Sequence, residues 1–164
     1  MRTMEVRVRR VSVVSSRPFD EVVQALTASI GQPDMKAFHS AIVAAVTVAD
    51  LEKVVQGAIG PSELMEFIRF DVGEVLRKES GEHGPKSLRL IVGNPVIMKR
   101  MAETVPDAAA YAPVTILVDE RAEGVHLSYD SMASLLAPYG SERALAVAEE
   151  LDAKVESLLE TAAR

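Results

Sequence analysis

Hydrophobic and polar residues follow two different periods along this chain, and the changes of period mark its elements. A period of two is typical of a half-buried strand, whereas spacings of three and four are typical of an amphipathic helix. At Arg9 and Arg10 the alternation slips by one position, which predicts a β-bulge in the first strand. The strand pattern covers residues 4–15, 64–70, 87–92, 114–118 and 125–129, and the last two of these segments form a predicted hairpin.

Helical spacing fills most of the chain between these strands, and capping residues mark where the helices begin. Asp34, Asn94 and Asp130 each precede a helical pattern and are predicted N-caps. Thr47 and Asp50 have the spacing of a capping box. Residues 74–79 fit either an extension of the second strand or a helical turn. The predicted helices cover residues 19–30, 34–46, 47–58, 95–104, 131–136 and 141–161.

This order of elements predicts an α+β fold in a single domain that spans residues 1–164. Five strands with helices collected between them favour a single-layer sheet, mixed or antiparallel, that packs against helices. A chain of 164 residues is long enough to bury a substantial core.

The junction over residues 87–101 is the feature around which the chain is predicted to be organised. A buried apolar strand ends at Gly93, Asn94 and Pro95, and a helix follows at once. Glycine permits a tight turn, asparagine caps a helix, and proline suits the first helical position. The apolar run predicts a central strand that is buried on both faces. Free backbone N–H groups at the corner favour a polar or anionic ligand.

Composition narrows the classes of function before any site is considered. The chain has no cysteine, which excludes disulfides, thiolate metal sites and cysteine nucleophiles. Its net charge of −6 argues against nucleic acid as a partner, and we interpret Arg2, Arg7, Arg9 and Arg10 as the solvated face of the first strand. No apolar run is typical of a signal peptide or a membrane span, so the sequence predicts a soluble, cytoplasmic protein without a membrane partner.

Four short motifs resemble the bacterial and archaeal domain of unknown function family 302. They lie at residues 70–73 (FDVG), 92–95 (VGNP), 112–118 (APVTILV) and 126–129 (HLSY). The resemblance covers the first strand and helix and then residues 64–164, so residues 34–60 look like a helical insertion. It implies a compact α+β sandwich that tends to dimerise, with no established reaction. Many members carry a histidine after the aspartate, where this chain has Val72.

The candidate ligand-binding residues are Asp71, Gly93, Asn94, Ser128 and Tyr129. Strand ends that converge on a helix N-terminus favour a polar pocket, which Asp130 would join. The alternative interpretation is that Asn94 and Asp130 only cap helices and that the Tyr129 ring belongs to the core. Asp71 is either an acid/base group or a turn residue.

Histidine chemistry has weak support in the sequence. His39, His83 and His126 show no spacing that would pair them as metal ligands, so no metal site is predicted and no cofactor is assigned. A haem or metal ion held by one histidine and Met98 or Met101 is an alternative, although such methionines more often fill cores. His126 alternates with apolar neighbours and is expected to face solvent or a dimer partner.

The sequence therefore favours an uncharacterised domain with a small-ligand-binding, sensory or accessory role that acts as a homodimer. The last helix has an apolar stripe wider than one sheet face needs, which supports self-association. One alternative is a small enzyme with a pocket around Asp71, Asn94 and Tyr129. Another is a protein–protein adaptor that uses the helices at residues 34–60. Because aspartate caps about as well as asparagine, Asn94→Asp is expected to leave stability nearly unchanged.

Overall fold

Five strands and eight α-helices make up the part of the chain that the structure describes. The computed structural model describes residues 3–80 and 84–164, without the side chains at 79 and 80, so His83 lies outside the described residues. The strands are β1 (Arg10–Ser15), β2 (Met65–Asp71), β3 (Ser87–Gly93), β4 (Val114–Arg121) and β5 (Gly124–Asp130). The helices are α1 (Phe19–Ser29), α2 (Met35–Ala44), α3 (Val48–Gln56), α4 (Val72–Ser80), α5 (Pro95–Ala102), α6 (Ala108–Tyr111), α7 (Met132–Leu136) and α8 (Glu142–Ala163).

The strands form one antiparallel sheet in the order β1-β5-β4-β3-β2. The predicted hairpin is β4–β5. Its turn is formed by Ala122 and Glu123, and β5 begins at Gly124, whose φ of 141° favours glycine. The α+β fold with a single-layer sheet packed against helices is confirmed. In this order β1 and β2 are the two edge strands.

The inner face of the sheet carries the main hydrophobic core. Residues directly opposite each other in an antiparallel ladder share a face, which places Leu90, Ile116 and Tyr129 in one inner row. Helix α8 packs against β1 and β5 on this side and also contacts α1, α5 and α7. The core is therefore enclosed between one face of the sheet and a layer of helices.

The apolar stripe of α8 is buried within the chain itself. Its main members, Val147, Leu151, Val155, Leu158 and Leu159, are all buried against the core. The prediction that this stripe has a surplus for self-association is therefore wrong. Neither α8 nor any other helix within residues 3–80 and 84–164 combines the length and apolarity needed to cross a membrane.

A second, smaller hydrophobic cluster lies between the α2–α3 pair and the edge of the sheet. Its buried members are Phe38, Val55, Ala58 and Met65. The predicted starts of both helices are confirmed, because Asp34 accepts a hydrogen bond from the Ala37 N–H and Thr47 closes a capping box with Asp50. The pair thus has local starting signals and a packing cluster of its own.

Two predictions about strands are wrong. β1 begins at Arg10, so the change of alternation marks the start of a strand, and the bulge lies instead in β2 between Glu66 and Ile68. β3 is second from the edge, and Arg89 on its outer face is exposed, so the strand is fully buried on the inner face only. An antiparallel sheet covered by helices on one side needs only one apolar face.

The segments that follow β2 and β5 also differ from their predicted form. The undecided residues after β2 belong to α4. Ser131, and not Asp130, caps α7 by accepting a hydrogen bond from the Ser134 N–H. Asp130 instead accepts two hydrogen bonds from the Arg10 guanidinium at 2.7 and 2.8 Å, which holds the pKa of that carboxyl below its usual value and ties β1 to β5.

Candidate functional site

A largely apolar cavity of about 500 Å³ lies between the α2–α3 pair and the junction of β3 with α5. We refer to this space as the cavity. Its volume falls within the range of about 300–1,000 Å³ that is typical of small-molecule sites. The apolar walls include Phe38, Ile42, Leu51, Phe67 and Met98. The sequence places most of these residues on predicted helices or strands, and nothing in their spacing shows that they surround a common space.

Gly93 lines the cavity, but its role differs from the predicted one. Its backbone continues the extended strand β3 and has no positive φ. A Cβ at this position would lie 3.0 Å from the Cβ of Pro113, which follows a cis peptide bond. The glycine is needed because Pro113 packs directly against the end of β3, and not because the chain makes a special turn there.

Asn94 caps α5 as predicted, and its side chain makes a second connection. Its Oδ1 accepts hydrogen bonds from the N–H groups of Val96 at 2.9 Å and Ile97 at 3.4 Å. Its Nδ2 donates to the carbonyl oxygen of Glu63 at 3.0 Å. Since Pro95 has no N–H, the first turn of α5 has no free backbone donor. The prediction of free N–H groups for a ligand at this corner is therefore wrong.

The contact with Glu63 changes the expected result of Asn94→Asp. A carboxylate would still cap α5, but one of its oxygens would face the Glu63 carbonyl oxygen, which lies 3.0 Å from the present nitrogen. We expect the free energy of unfolding to fall by about 1–2 kcal/mol, because the carbonyl loses a donor and meets a negative charge. Urea denaturation followed by circular dichroism measures this loss.

Asp34→Asn is the matched control for that substitution. Asp34 caps α2 through the Ala37 N–H at 2.7 Å, and the exchange there keeps the cap without opposing a carbonyl group. It should change the free energy of unfolding by less than about 0.5 kcal/mol. If Asn94→Asp proves as mild as Asp34→Asn, the bond to Glu63 contributes nothing to stability.

The remaining predicted site residues lie elsewhere. Ser128 and Tyr129 are neighbours in β5, so their side chains lie on the outer and inner faces of the sheet respectively. Asp71 pairs with Leu88 at the far end of β3 from Asn94. At about 3.4 Å per residue, roughly 20 Å of strand separates Asp71 from Asn94. Asp71, Asn94 and Tyr129 therefore do not line one pocket.

Asp71 has a local structural role at the end of β2. Its Oδ1 accepts a hydrogen bond from the Glu74 N–H at 2.7 Å, and its Oδ2 lies 3.2 Å from a guanidinium nitrogen of Arg77. Both contacts stabilise the turn from β2 into α4. These contacts correspond to the turn-residue alternative of the sequence analysis.

A buried polar network around Asp152 accounts for Tyr129. The Asp152 carboxylate accepts hydrogen bonds from the Tyr129 hydroxyl at 2.5 Å, the Ser131 hydroxyl and the Met132 N–H at 2.7 Å. Burial, and then the adjacent Asp152, raise the pKa of Tyr129, so its hydroxyl stays protonated and donates. Asp152 was not among the site residues predicted from the sequence. The available signal was a charged residue within the apolar stripe of α8.

The histidines that the structure describes occupy different environments. His39 on α2 is exposed and lines the cavity together with Met98, whereas Met101 is buried in the main core. His126 faces away from Val125 and Leu127 as expected, yet it is nearly buried, with its Nε2 2.9 Å from a Glu123 carboxylate oxygen. Within the described ranges, no group of three His, Asp or Glu side chains is arranged to hold a metal ion.

Comparison with known proteins identifies the family of this chain. A family model described as "Domain of unknown function DUF302" matches residues 40–162. The chain belongs to the DUF302 family. The match begins within α2 and ends in the last turn of α8, so it includes part of the α2–α3 pair. No curated protein matches the chain.

A solved structure shares the DUF302 fold found here. It is described as the crystal structure of an uncharacterized conserved protein DUF302 from Bacillus stearothermophilus, with a TM-score of 0.64 and 14% sequence identity. The match covers 94% of this chain and 98% of that chain. The likeness supports the fold alone. The resemblance found in the four sequence motifs is confirmed.

Proposed function

We propose that this DUF302 domain binds a small apolar molecule in the cavity and that it acts as a homodimer. The cavity is the observation that supports the first part. Small-molecule sites are concave and lined mostly by apolar side chains with a few polar groups. A recess of about 500 Å³ with such a lining, open to solvent on one side, is therefore suited to an apolar ligand.

The architecture around the cavity supports ligand entry. The α2–α3 pair packs on the smaller hydrophobic cluster, whereas α5 and the inner face of the sheet belong to the main core. The cavity lies where these two packing units meet. Met35 and Met98 contribute to its walls, and methionine side chains adapt readily to ligands of different shape. A shift of the helical pair would leave the main core intact.

Ile42→Trp is expected to weaken binding of the neutral fluorescent probe N-phenylnaphthylamine. Ile42 lines the cavity from α2, and an indole ring there would fill part of the space. We expect saturable fluorescence enhancement with the parent protein. In the variant we expect at least about tenfold weaker binding, which corresponds to about 1.4 kcal/mol. A fluorescence titration measures both affinities.

Val43→Trp is the matched control, because it adds the same side chain one residue further along α2. Val43 is 73% exposed and is not part of the cavity wall. This variant should bind the probe like the parent protein, and thermal melting establishes that both variants are folded. Equal probe affinity in the two variants would contradict binding in the cavity.

The outer face of the sheet supports the homodimer. Ile68 and Phe70 of β2 are 59% and 51% exposed. They share this face with the partly buried Ile91 and Leu117 of the neighbouring strands. A twofold axis brings the same patch of two subunits together, and sheets can stack face to face. Two copies that stack in this way would cover these four apolar side chains, with Arg89 between Phe70 and Leu117 on the same face.

Phe70→Asp is expected to convert the dimer into a 17.7 kDa monomer, because it places a charge in the proposed apolar interface. Val48→Asp is the control, since Val48 is 54% exposed but lies on α3 and not on the sheet. Sedimentation velocity at micromolar concentration measures the mass of each. A parent protein that sediments as a monomer would exclude the homodimer, and a dimeric Phe70→Asp would exclude this interface.

A further inference from the structure

We propose that the ligand of the cavity is an amphipathic carboxylic acid, whose apolar body fills the cavity and whose carboxylate binds Lys99 and His39. This inference rests on the proposed ligand-binding function and adds the chemical class of the ligand. It concerns a free, monomeric acid and not the surface of a membrane.

The ionisable side chains that line the cavity within the described residues are all basic. Among the lining residues that the structure describes, His39 and Lys99 are the ionisable ones, and none carries a carboxylate. The chain as a whole has 24 acidic residues against 18 lysines and arginines, so an acid-free lining is opposite to its general composition. His39 comes from α2 and Lys99 from α5, which are on the two sides that enclose the cavity.

Lys99 has binding capacity left for an anion. Its ammonium group contacts one oxygen of Glu103, and the other oxygen of the same carboxylate accepts from Arg143 at 2.7 Å. The single negative charge of Glu103 is therefore shared by two cations, Lys99 and Arg143. An ammonium group has three donors, and the contact with Glu103 engages one of them. The neighbouring Arg100 has a separate partner in Glu150 and does not compete for Glu103.

The His39 side chain is available to bind the same anion. Its imidazole ring makes no hydrogen bond or ion pair with any residue in the described part of the chain. Its ring is exposed on α2, and the Lys99 side chain is 40% exposed, so both polar groups lie where the cavity meets solvent. An acid with its apolar part inside would present its carboxylate to both. Charge-assisted hydrogen bonds of this kind are stronger than neutral ones.

A ligand without a charged group has to be distinguished from this proposal. Lys99 and Glu103 are four residues apart on α5, and such surface pairs occur in helices without any ligand. Recognition of charge must therefore be measured separately from occupation of the cavity. Three probes of equal chain length and different head group serve this purpose: decanoate, decanol and decyltrimethylammonium.

The experiment measures how well each of the three probes displaces N-phenylnaphthylamine from the parent protein. We expect decanoate to displace the dye at about tenfold lower concentration than decanol, and decyltrimethylammonium to be the weakest. In Lys99→Gln the ratio of the decanoate affinity to the decanol affinity should fall by about tenfold, which corresponds to one hydrogen bond to a charged group. His39→Gln should reduce the same ratio by a smaller factor.

Lys36→Gln is the matched control, because Lys36 lies on α2 but is not part of the cavity lining. It removes the same charge from the chain, so an unchanged affinity ratio shows that position matters and not net charge. If Lys36→Gln lowers the ratio of the decanoate affinity to the decanol affinity as much as Lys99→Gln does, direct recognition of the carboxylate by Lys99 is overturned.

The possible failures of the two proposals are distinct. Equal displacement by decanoate and decanol would overturn the carboxylic acid while leaving the apolar site in place. No binding of N-phenylnaphthylamine, or dye binding that Ile42→Trp leaves unaffected, would overturn the proposed function and this inference with it. Binding to phosphatidylglycerol vesicles without binding of monomeric decanoate would also overturn the inference, because it would assign the basic groups to a lipid surface.

Discussion

Asp152→Ala is expected to lower the free energy of unfolding by about 3–5 kcal/mol. The Asp152 side chain is buried on α8 and accepts hydrogen bonds from the Tyr129 and Ser131 hydroxyls and from the N–H groups of Met132 and Ala133. Truncation to alanine leaves several buried donors without an acceptor and creates a small cavity. Each unsatisfied donor costs about 1–3 kcal/mol, although these costs are not additive. Urea denaturation followed by circular dichroism measures the loss.

Two further variants separate the network from the helix that carries it. Glu149→Ala lies on the exposed side of α8 and should change stability by less than about 0.5 kcal/mol. Asp152→Asn keeps the shape of the side chain but replaces one acceptor oxygen with a donor, so it should fall between the other two. A loss below about 1 kcal/mol in Asp152→Ala would show that water or a rearrangement satisfies these donors.

Leu90→Ala is expected to cost about 2–5 kcal/mol, the range typical of truncating a fully buried leucine. Leu90 has no exposed surface and lies in the same inner row as Ile116 and Tyr129. The cost does not require the strand to be buried on both faces, because the inner face alone encloses this side chain. Chemical denaturation of the parent protein and the variant measures the difference.

Arg89→Ala is the natural comparison for Leu90→Ala. Arg89 is the preceding residue of β3, and its side chain is exposed on the outer face. It should cost less than about 0.5 kcal/mol when both variants are measured in the Phe70→Asp background, which removes the proposed interface. A similar loss in both variants would mean that the strand and not the inner core is being disrupted. A loss below about 1 kcal/mol for Leu90→Ala would contradict a rigid core under α8.

Local signals account for the parts of the fold that were predictable. Asp34, Thr47 and Asn94 cap the helices that they were predicted to cap, and the predicted hairpin turns at Ala122 and Glu123. In each case the deciding contacts lie within about four residues of the signal, so neighbouring sequence is sufficient to predict them. The apolar stripe of α8 was predictable from its spacing, but its complete burial within the chain was not.

Predictions failed where the deciding partner is distant in sequence. Asp130 was a reasonable helix cap, but the pairing of β1 with β5 places Arg10 beside it and leaves the cap to Ser131. Asn94 was a candidate ligand-binding residue, but its Nδ2 donates to the carbonyl oxygen of Glu63, which is 31 residues away in sequence. Such competition between partners is decided by the arrangement of elements, which residue types and spacing do not specify.

Periodicity, capping and short motifs are local properties, so they were sufficient to predict the type, order and approximate ends of most elements and the resemblance to the DUF302 family. Tertiary packing was needed to show that residues of α2 and α5 line one apolar cavity, that His39 and Lys99 both line it, and that Asp71 and Tyr129 lie apart from it. The physical reason is that a cavity is a gap between packed surfaces. Its position depends on strand order, register and the fit of side chains from distant segments, and no single segment carries that information.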